Sequence, residues 1–155
     1  MYIDRLPDEI LEKLKASEQP VKWHPEKSVY NHIWLVEKEA QKFNEPLLEM
    51  CAVFHDLGKI DAEQWRGDRN VYYGHEFQSI KYIDRYKHLF EDVEPVDWDI
   101  VKWVCMNHMK SHILDKMRPF KREAITGHEW FPYLLRFSHC DNNGRGEMPD
   151  DFEEE

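Results

Sequence analysis

His55 and Asp56 stand side by side at the end of the most apolar segment of this sequence, PLLEMCAVFHDL (residues 46–57). A buried, unpaired carboxylate costs several kcal/mol and tends to neutralise itself, so Asp56 in that setting calls for a compensating cation. His32 and Asp141 offer two more donors. The resulting mixture of imidazole and carboxylate suits Mn, Fe, Co, Ni or Zn better than the all-oxygen surroundings preferred by Mg or Ca. The chemistry open to such a set is metal-assisted hydrolysis, in which a bound ion activates water and polarises the substrate. A His next to an Asp also occurs in plain packing, and spacing alone leaves both readings open.

The residues around these donors repeat with helical period. Leu48, Cys51, Ala52 and His55, then Val101, Val104, Cys105 and His108, and then Leu134, Phe137, Ser138 and Asp141 each follow i, i+3, i+4, i+7, which puts four side chains on one helix face. Each stripe ends in a metal-ligating residue type. A fourth face, His32, Leu35, Val36, Glu39 and Phe43, begins with one. His24, His88, His112, His128 and His139 read as ordinary hydrogen-bonded histidines.

A helix is expected to start after Leu6 and to fade near Ser17, with Pro7 in its first turn and Asp8 and Glu9 at its positive end. Residues 19–25 hold two prolines and read as a connection, and 26–43 as a helix. Asn44 is a reasonable cap for a helix from Pro46 to about Leu57, where Gly58 stops it. Residues 60–73 read as a loop containing the aromatics Trp65, Tyr72 and Tyr73, which suit base stacking or packing equally. Helices are expected over 74–90, 97–109 and 128–142, the last with Pro132 in its first turn. Strand signals are nearly absent. The expected fold is all-α, a compact bundle of about five to seven helices.

The chain has 155 residues, enough for one domain that buries roughly two-thirds of its unfolded surface. Hydrophobic residues are 41% and aromatics 14%, which argues against wholesale disorder. The formal charge of -10 argues against non-specific coating of nucleic acid, which needs many cations to neutralise phosphates. One local exception is the basic stretch of Lys110, Lys116, Arg118, Lys121 and Arg122, interrupted only by Asp115, which reads as a solvated loop face or a receiver of phosphate. Three widely spaced cysteines in apolar surroundings fit reduced core thiols. With no long apolar run and no signal-peptide pattern, the expected location is the cytoplasm, with no membrane partner.

Taken in order, WHPEKSVYNH (23–32), FHDLGK (54–59), GHE (74–76), NHM (107–109) and DNNGRGE (141–147) resemble the His-Asp (HD) phosphohydrolases, most closely the HD domain at the C-terminal end of bacterial CCA-adding tRNA nucleotidyltransferases. The likeness spans about residues 20–147. It implies one HD-type domain over 1–147, with an acidic tail over 148–155, and a metal held by His32, His55, Asp56 and Asp141. The metal implied is Mn, Co, Ni or Fe, with Mg or Zn as alternatives. The activity implied is that of a phosphatase or 2′,3′-cyclic phosphodiesterase on nucleotides or RNA ends. There is no room for the polymerase-type module, so CCA addition itself is not expected.

On this resemblance Asp56 orients the attacking water, while Lys59 and Arg145 meet phosphate oxygens. His75 and His108 either bind a second metal or contact phosphate, and Glu76 orients His75 or sits exposed in the first helical turn. Gly58 lets the chain turn so that Lys59 faces the metal, and Gly74 opens a helix whose positive end points at the substrate. Two other readings share the scaffold: a di-iron oxygenase, and a regulatory HD domain that binds a nucleotide without turning it over. The oligomeric state is not specified.

Overall fold

The computed structural model describes residues 1–67 and 70–152. After a 3-10 turn at Tyr2–Arg5 come α1 (Asp8–Ala16), α2 (Val29–Gln41), α3 (Pro46–Phe54), the single-turn α4 (Lys59–Ala62), α5 (His75–Tyr86), α6 (Asp97–Asn107), α7 (Pro119–Thr126) and α8 (Phe131–Asn143). The molecule is all-α, as the periodicity predicts. Residues 60–73 are not a plain loop. They hold most of α4 and a two-residue antiparallel ladder, Gln64–Trp65 with Asn70–Val71. The side chain of Trp65 lies outside the described residues.

α3 has almost no polar face and is accordingly the centre of the bundle, with Leu47, Leu48, Met50, Cys51, Ala52, Val53 and Phe54 all buried. α2, α6 and α8 pack around it. Phe54 meets Phe90 and Trp98 edge-on, at ring separations of 5.5 and 5.7 Å. The three cysteines are free and buried. No helix among the described residues is long and apolar enough to cross a membrane.

α2 starts three residues later than the pattern suggests because the Ser28 hydroxyl accepts from Asn31 N at 3.0 Å and caps it. The preceding connection doubles back on itself. Gln19 N donates to Lys27 O at 2.7 Å, Val29 N donates to Ser17 O at 2.9 Å, and Lys27 adopts φ 76 at the return. The inner face of α2 is also rotated from the expected one. Leu35, Glu39 and Phe43 are only half-buried, while Glu37 is fully buried and accepts from Tyr2 N and Ile3 N at 2.8 and 2.9 Å. Burial outweighs those two bonds and pushes the Glu37 carboxyl up to about 7.

α3 ends at Phe54, not Leu57, and Glu45 occupies the capping position expected for Asn44. Beyond Phe54 the turns tighten, with Leu57 N donating to Phe54 O at 3.3 Å and Lys59 N to Asp56 O at 3.1 Å. Gly58 is not left-handed, since its φ is -64. Its small size serves close packing: a Cβ there would lie 2.0 Å from His75 O and 2.5 Å from Ser79 N of α5. Ser79 joins the two segments, its hydroxyl donating to His55 O at 3.0 Å and accepting from Gly58 N at 2.9 Å.

Residues 110–122, expected as a loop face, contain two 3-10 turns and the start of α7, with Pro119 in its first turn. Lys110, Lys116, Arg118 and Lys121 are exposed and Arg122 half-buried. The segment read as an acidic tail is packed where it is described. Phe152 lies edge-on to Trp34 at 5.1 Å, and Asp151 pairs with Lys38 at 2.5 Å. Residues 153–155 lie outside the described residues.

Candidate metal centre

Four imidazoles from four elements point their Nε2 atoms at two carboxylates. Each gives its Nδ1 proton to a backbone carbonyl: His32 to Gly144 O (2.9 Å), His55 to Ala52 O (2.8 Å), His75 to Tyr72 O (3.0 Å) and His108 to Cys105 O (2.6 Å). A carbonyl only accepts, so the neutral ring in each case carries its lone pair on Nε2. For His55 and His108 the acceptor lies three residues back, so the helix itself orients the ring. For His75 the partner is Tyr72 O, with Glu76 further off at 3.8 Å, so the carbonyl and not the carboxylate orients this ring.

Asp56 divides the imidazoles into two groups. Its Oδ2 lies 3.1 Å from His55 Nε2 and 3.4 Å from His32 Nε2, while its Oδ1 lies 3.0 Å from His75 Nε2 and 3.4 Å from His108 Nε2. Asp141 closes the first group, with Oδ1 2.9 Å from His32 Nε2 and 3.4 Å from His55 Nε2. Ligand bonds of roughly 2.0–2.2 Å to one ion set neighbouring donors about 3.0–3.4 Å apart, in keeping with these spacings. His55 Nε2 is buried and makes no hydrogen bond. His75 Nε2 and His108 Nε2 face each other at 3.1 Å, so two lone pairs meet unless a proton or a metal ion lies between them. The donor set therefore fits a divalent metal, and among the described residues the groups that could hold one are His32, His55 and Asp56, joined by Asp141, then Asp56, His75 and His108, and, behind the first, His24, Glu26 and His32.

The electrostatics point the same way. Burial opposes charge on His55, yet the carboxylates of Asp56 and Asp141 outweigh it and push the imidazole up to about 10. Burial is likewise overcome at His32, whose bonds to Asp141 and Glu26 raise it. At Asp56 the His55 charge and Lys59 overcome burial, and at Asp141 the bonds from His112 and His32 do so, so both carboxyls sit well below their ordinary range. His108 is lowered, chiefly by burial. The centre is a buried seat for positive charge.

His32, His55, Asp56, Lys59, His75, His108, Asp141 and Arg145 meet here, whereas the basic stretch of Lys110, Lys116, Arg118, Lys121 and Arg122 does not line the site. A cleft of about 620 Å³ opens over the centre, lined by His32, Asp56, His75, His108, Asp141 and the cations Lys59 and Arg145; His55 lies behind them. Lys59 is buried, with Nζ 3.2 Å from Asp56 Oδ2. Trp23 and Tyr73 also line the cleft and are 54% and 71% exposed, with Lys22 Nζ 4.9 Å from the centre of the one ring and the Arg66 guanidinium 6.0 Å from the other. Three residues escaped the reading of the sequence. His24 and His112 line the cleft, and His112 Nε2 lies 3.2 Å from Asp141 Oδ2. Glu26 is buried behind the centre, with Oε1 2.7 Å from His24 Nδ1 and 3.1 Å from His32 Nδ1, and with Oε2 accepting from Gly146 N at 3.2 Å. The i+4 spacing of His112 from His108 was the available signal for the one, and the position of HPE within the first quoted segment for the others.

No family model matches this chain, and no solved structure matches it. Among curated proteins it is 28% identical to a multifunctional CCA protein of Vibrio cholerae serotype O1 (strain M66-2) over 120 residues, which cover 76% of this chain and 28% of that protein. It is 38% identical to the multifunctional CCA protein of Herminiimonas arsenicoxydans over 77 residues, covering 48% of this chain and 18% of that one. The chain thus spans under a third of the length of the relatives it matches, and it is related to that part of the multifunctional CCA proteins.

Proposed function

We propose that this protein is a metal-dependent phosphohydrolase of the HD type that acts on nucleotide or RNA-end phosphoesters, as a phosphatase or 2′,3′-cyclic phosphodiesterase. The observation that carries the reading is Asp56, whose two oxygens face two separate groups of imidazoles beside a buried lysine. His32, His55, Asp56 and Asp141 would hold one ion, and the other oxygen of Asp56 with His75 and His108 would offer a place for a second. A divalent ion bound there would supply Lewis acidity and would make water a nucleophile near neutral pH. Lys59 and Arg145 bind the phosphate oxygens from the cleft wall, and Asp56 orients the attacking water. Trp23 and Tyr73 supply faces on which a base stacks, as a nucleotide ligand requires. The relation to multifunctional CCA proteins supports a substrate of the nucleotide or RNA class.

The test is metal analysis of the purified protein followed by a screen of 2′,3′-cyclic nucleotides, nucleoside monophosphates and generic phosphoesters with Mn, Co, Ni and Mg. Turnover that disappears with the metal in Asp56→Ala, while circular dichroism stays helical, supports the reading. Wild-type rates in that variant overturn it. The two imidazole groups sharing Asp56 also favour a second reading, a di-iron oxygenase. Bound iron with oxygen consumption and no phosphoester hydrolysis would establish that one instead.

A further inference from the structure

Gln19 is 4% exposed on the wall of the cleft, and only one end of its amide is satisfied. Its Oε1 accepts from Lys59 Nζ. An ammonium carries donors only, so the amide cannot be turned over, and the opposite end is fixed as the NH2 group. That Nε2 is buried and has no hydrogen-bond partner. A buried donor without an acceptor is costly to a fold, and its persistence asks for a ligand that supplies the acceptor. Four side-chain atoms share this condition among the described residues. His55 Nε2 belongs to the metal centre, and Arg136 already pairs with Glu45 through another nitrogen at 3.3 Å. The other two, Gln19 Nε2 and Arg145 Nε, belong to residues that line the cleft.

We propose that Gln19 is a substrate-contacting residue, whose NH2 donates to a non-bridging oxygen of the bound phosphoryl group beside Lys59. The inference rests on the phosphohydrolase reading. Its geometry is a chain from Asp56 Oδ2 through Lys59 Nζ to Gln19 Oε1, which fixes the amide relative to the carboxylate shared by both imidazole groups. Beside the carboxylates of Asp56 and Asp141, the residues of the cleft wall carry donors on Gln19, on the proton of Lys59 not used by Asp56 or Gln19, and on Arg145. Such a set fits a phosphoryl oxyanion, whose several charged oxygens can each accept from a different donor, better than a neutral ligand with a single acceptor. A structural role for the side chain would run through Oε1 and Lys59 and would leave the NH2 group indifferent to phosphate, while the bond from Gln19 N to Lys27 O is independent of the side chain.

The experiment compares wild type, Gln19→Met and Gln19→Glu, each loaded with Mn, by metal content, melting temperature, KM and kcat for a phosphodiester, and the inhibition constant of inorganic phosphate. Gln19→Met, similar in bulk, is expected to keep its metal content and fold while phosphate inhibition weakens about tenfold. Gln19→Glu is expected to lose more, because its carboxylate repels the anion and pairs with Lys59. In Zn-loaded wild type, the Gln19 side-chain NH2 resonance, identified by its absence in Gln19→Glu, should shift on addition of phosphate even if either variant folds poorly. If wild type hydrolyses phosphoesters and binds phosphate while both variants match it and the resonance stays still, Gln19 is not a ligand and the activity stands. If loaded wild type neither hydrolyses phosphoesters nor binds phosphate, the phosphohydrolase reading falls and takes this inference with it.

Discussion

Each imidazole of the centre turns its Nδ1 to a carbonyl of the surrounding backbone, joined at His32 by the Glu26 carboxylate, so the protein itself decides which nitrogen is left for a cation. Glu26 adds a negative charge behind His32 and His24, and their bonds overcome its burial to hold its carboxyl down at about 2. Glu26→Gln keeps the bulk and removes the charge, so affinity for the ion held by His32 should fall 10–100-fold by calorimetry. Binding on the His75 and His108 side should change little. Lys59→Ala should keep its metal and lose about 10²–10³ in kcat, because it removes a donor aimed at phosphate and not a ligand. Metal loss with Lys59→Ala would recast Lys59 as a support for Asp56. At this scale the adjacency of His55 and Asp56 in an apolar stretch made them legible in the sequence. Glu26, His24 and His112 were not, because their parts depend on a connection that doubles back and on a helix that breaks into 3-10 turns.

Where elements meet, Gly58 is the tightest point, since any side chain there overlaps the backbone of α5. Gly58→Ala should destabilise by about 1–3 kcal/mol or more and should push His75 away from Asp56. Urea denaturation and the second equivalent of metal report the two effects separately. Glu37 ties α2 to the N-terminal turn as a buried carboxyl raised to about 7 from its ordinary 4.5. A group whose folded pKa is raised contributes stability that is complete below the unfolded pKa and is lost as pH rises through the folded one. Relative to wild type, Glu37→Gln should therefore gain melting temperature between pH 4.5 and 7, by up to roughly 3 kcal/mol in stability. A difference that stays flat with pH would show that Glu37 is ionised throughout. Helix existence followed from periodicity, but helix ends did not, because the doubled-back connection before α2 and the packing of Gly58 on α5 act through partners remote in sequence. α7 was missed for a related reason: only Ile125 of that helix is buried, so it carries no apolar stripe.

For the molecule as a whole, an ion bound only by the folded state adds stability by mass action, about 4 kcal/mol when free metal stands at 1,000 times its dissociation constant. Chelation should accordingly lower the melting temperature by roughly 10 °C in a chain of this length, and the midpoint should depend on free metal concentration. A midpoint indifferent to chelator would leave the buried charges balanced by the protein alone. On the proposed reading, the order of the donors along the chain has a further consequence during synthesis. The group of Asp56, His75 and His108 is complete once α6 has formed. His32 and His55 wait for Asp141 near the end of α8, and for the Gly144 carbonyl that orients His32. A nascent or clipped chain that stops before α8 thus has no closed seat for its first ion, and capture of that ion marks the moment at which the bundle is finished.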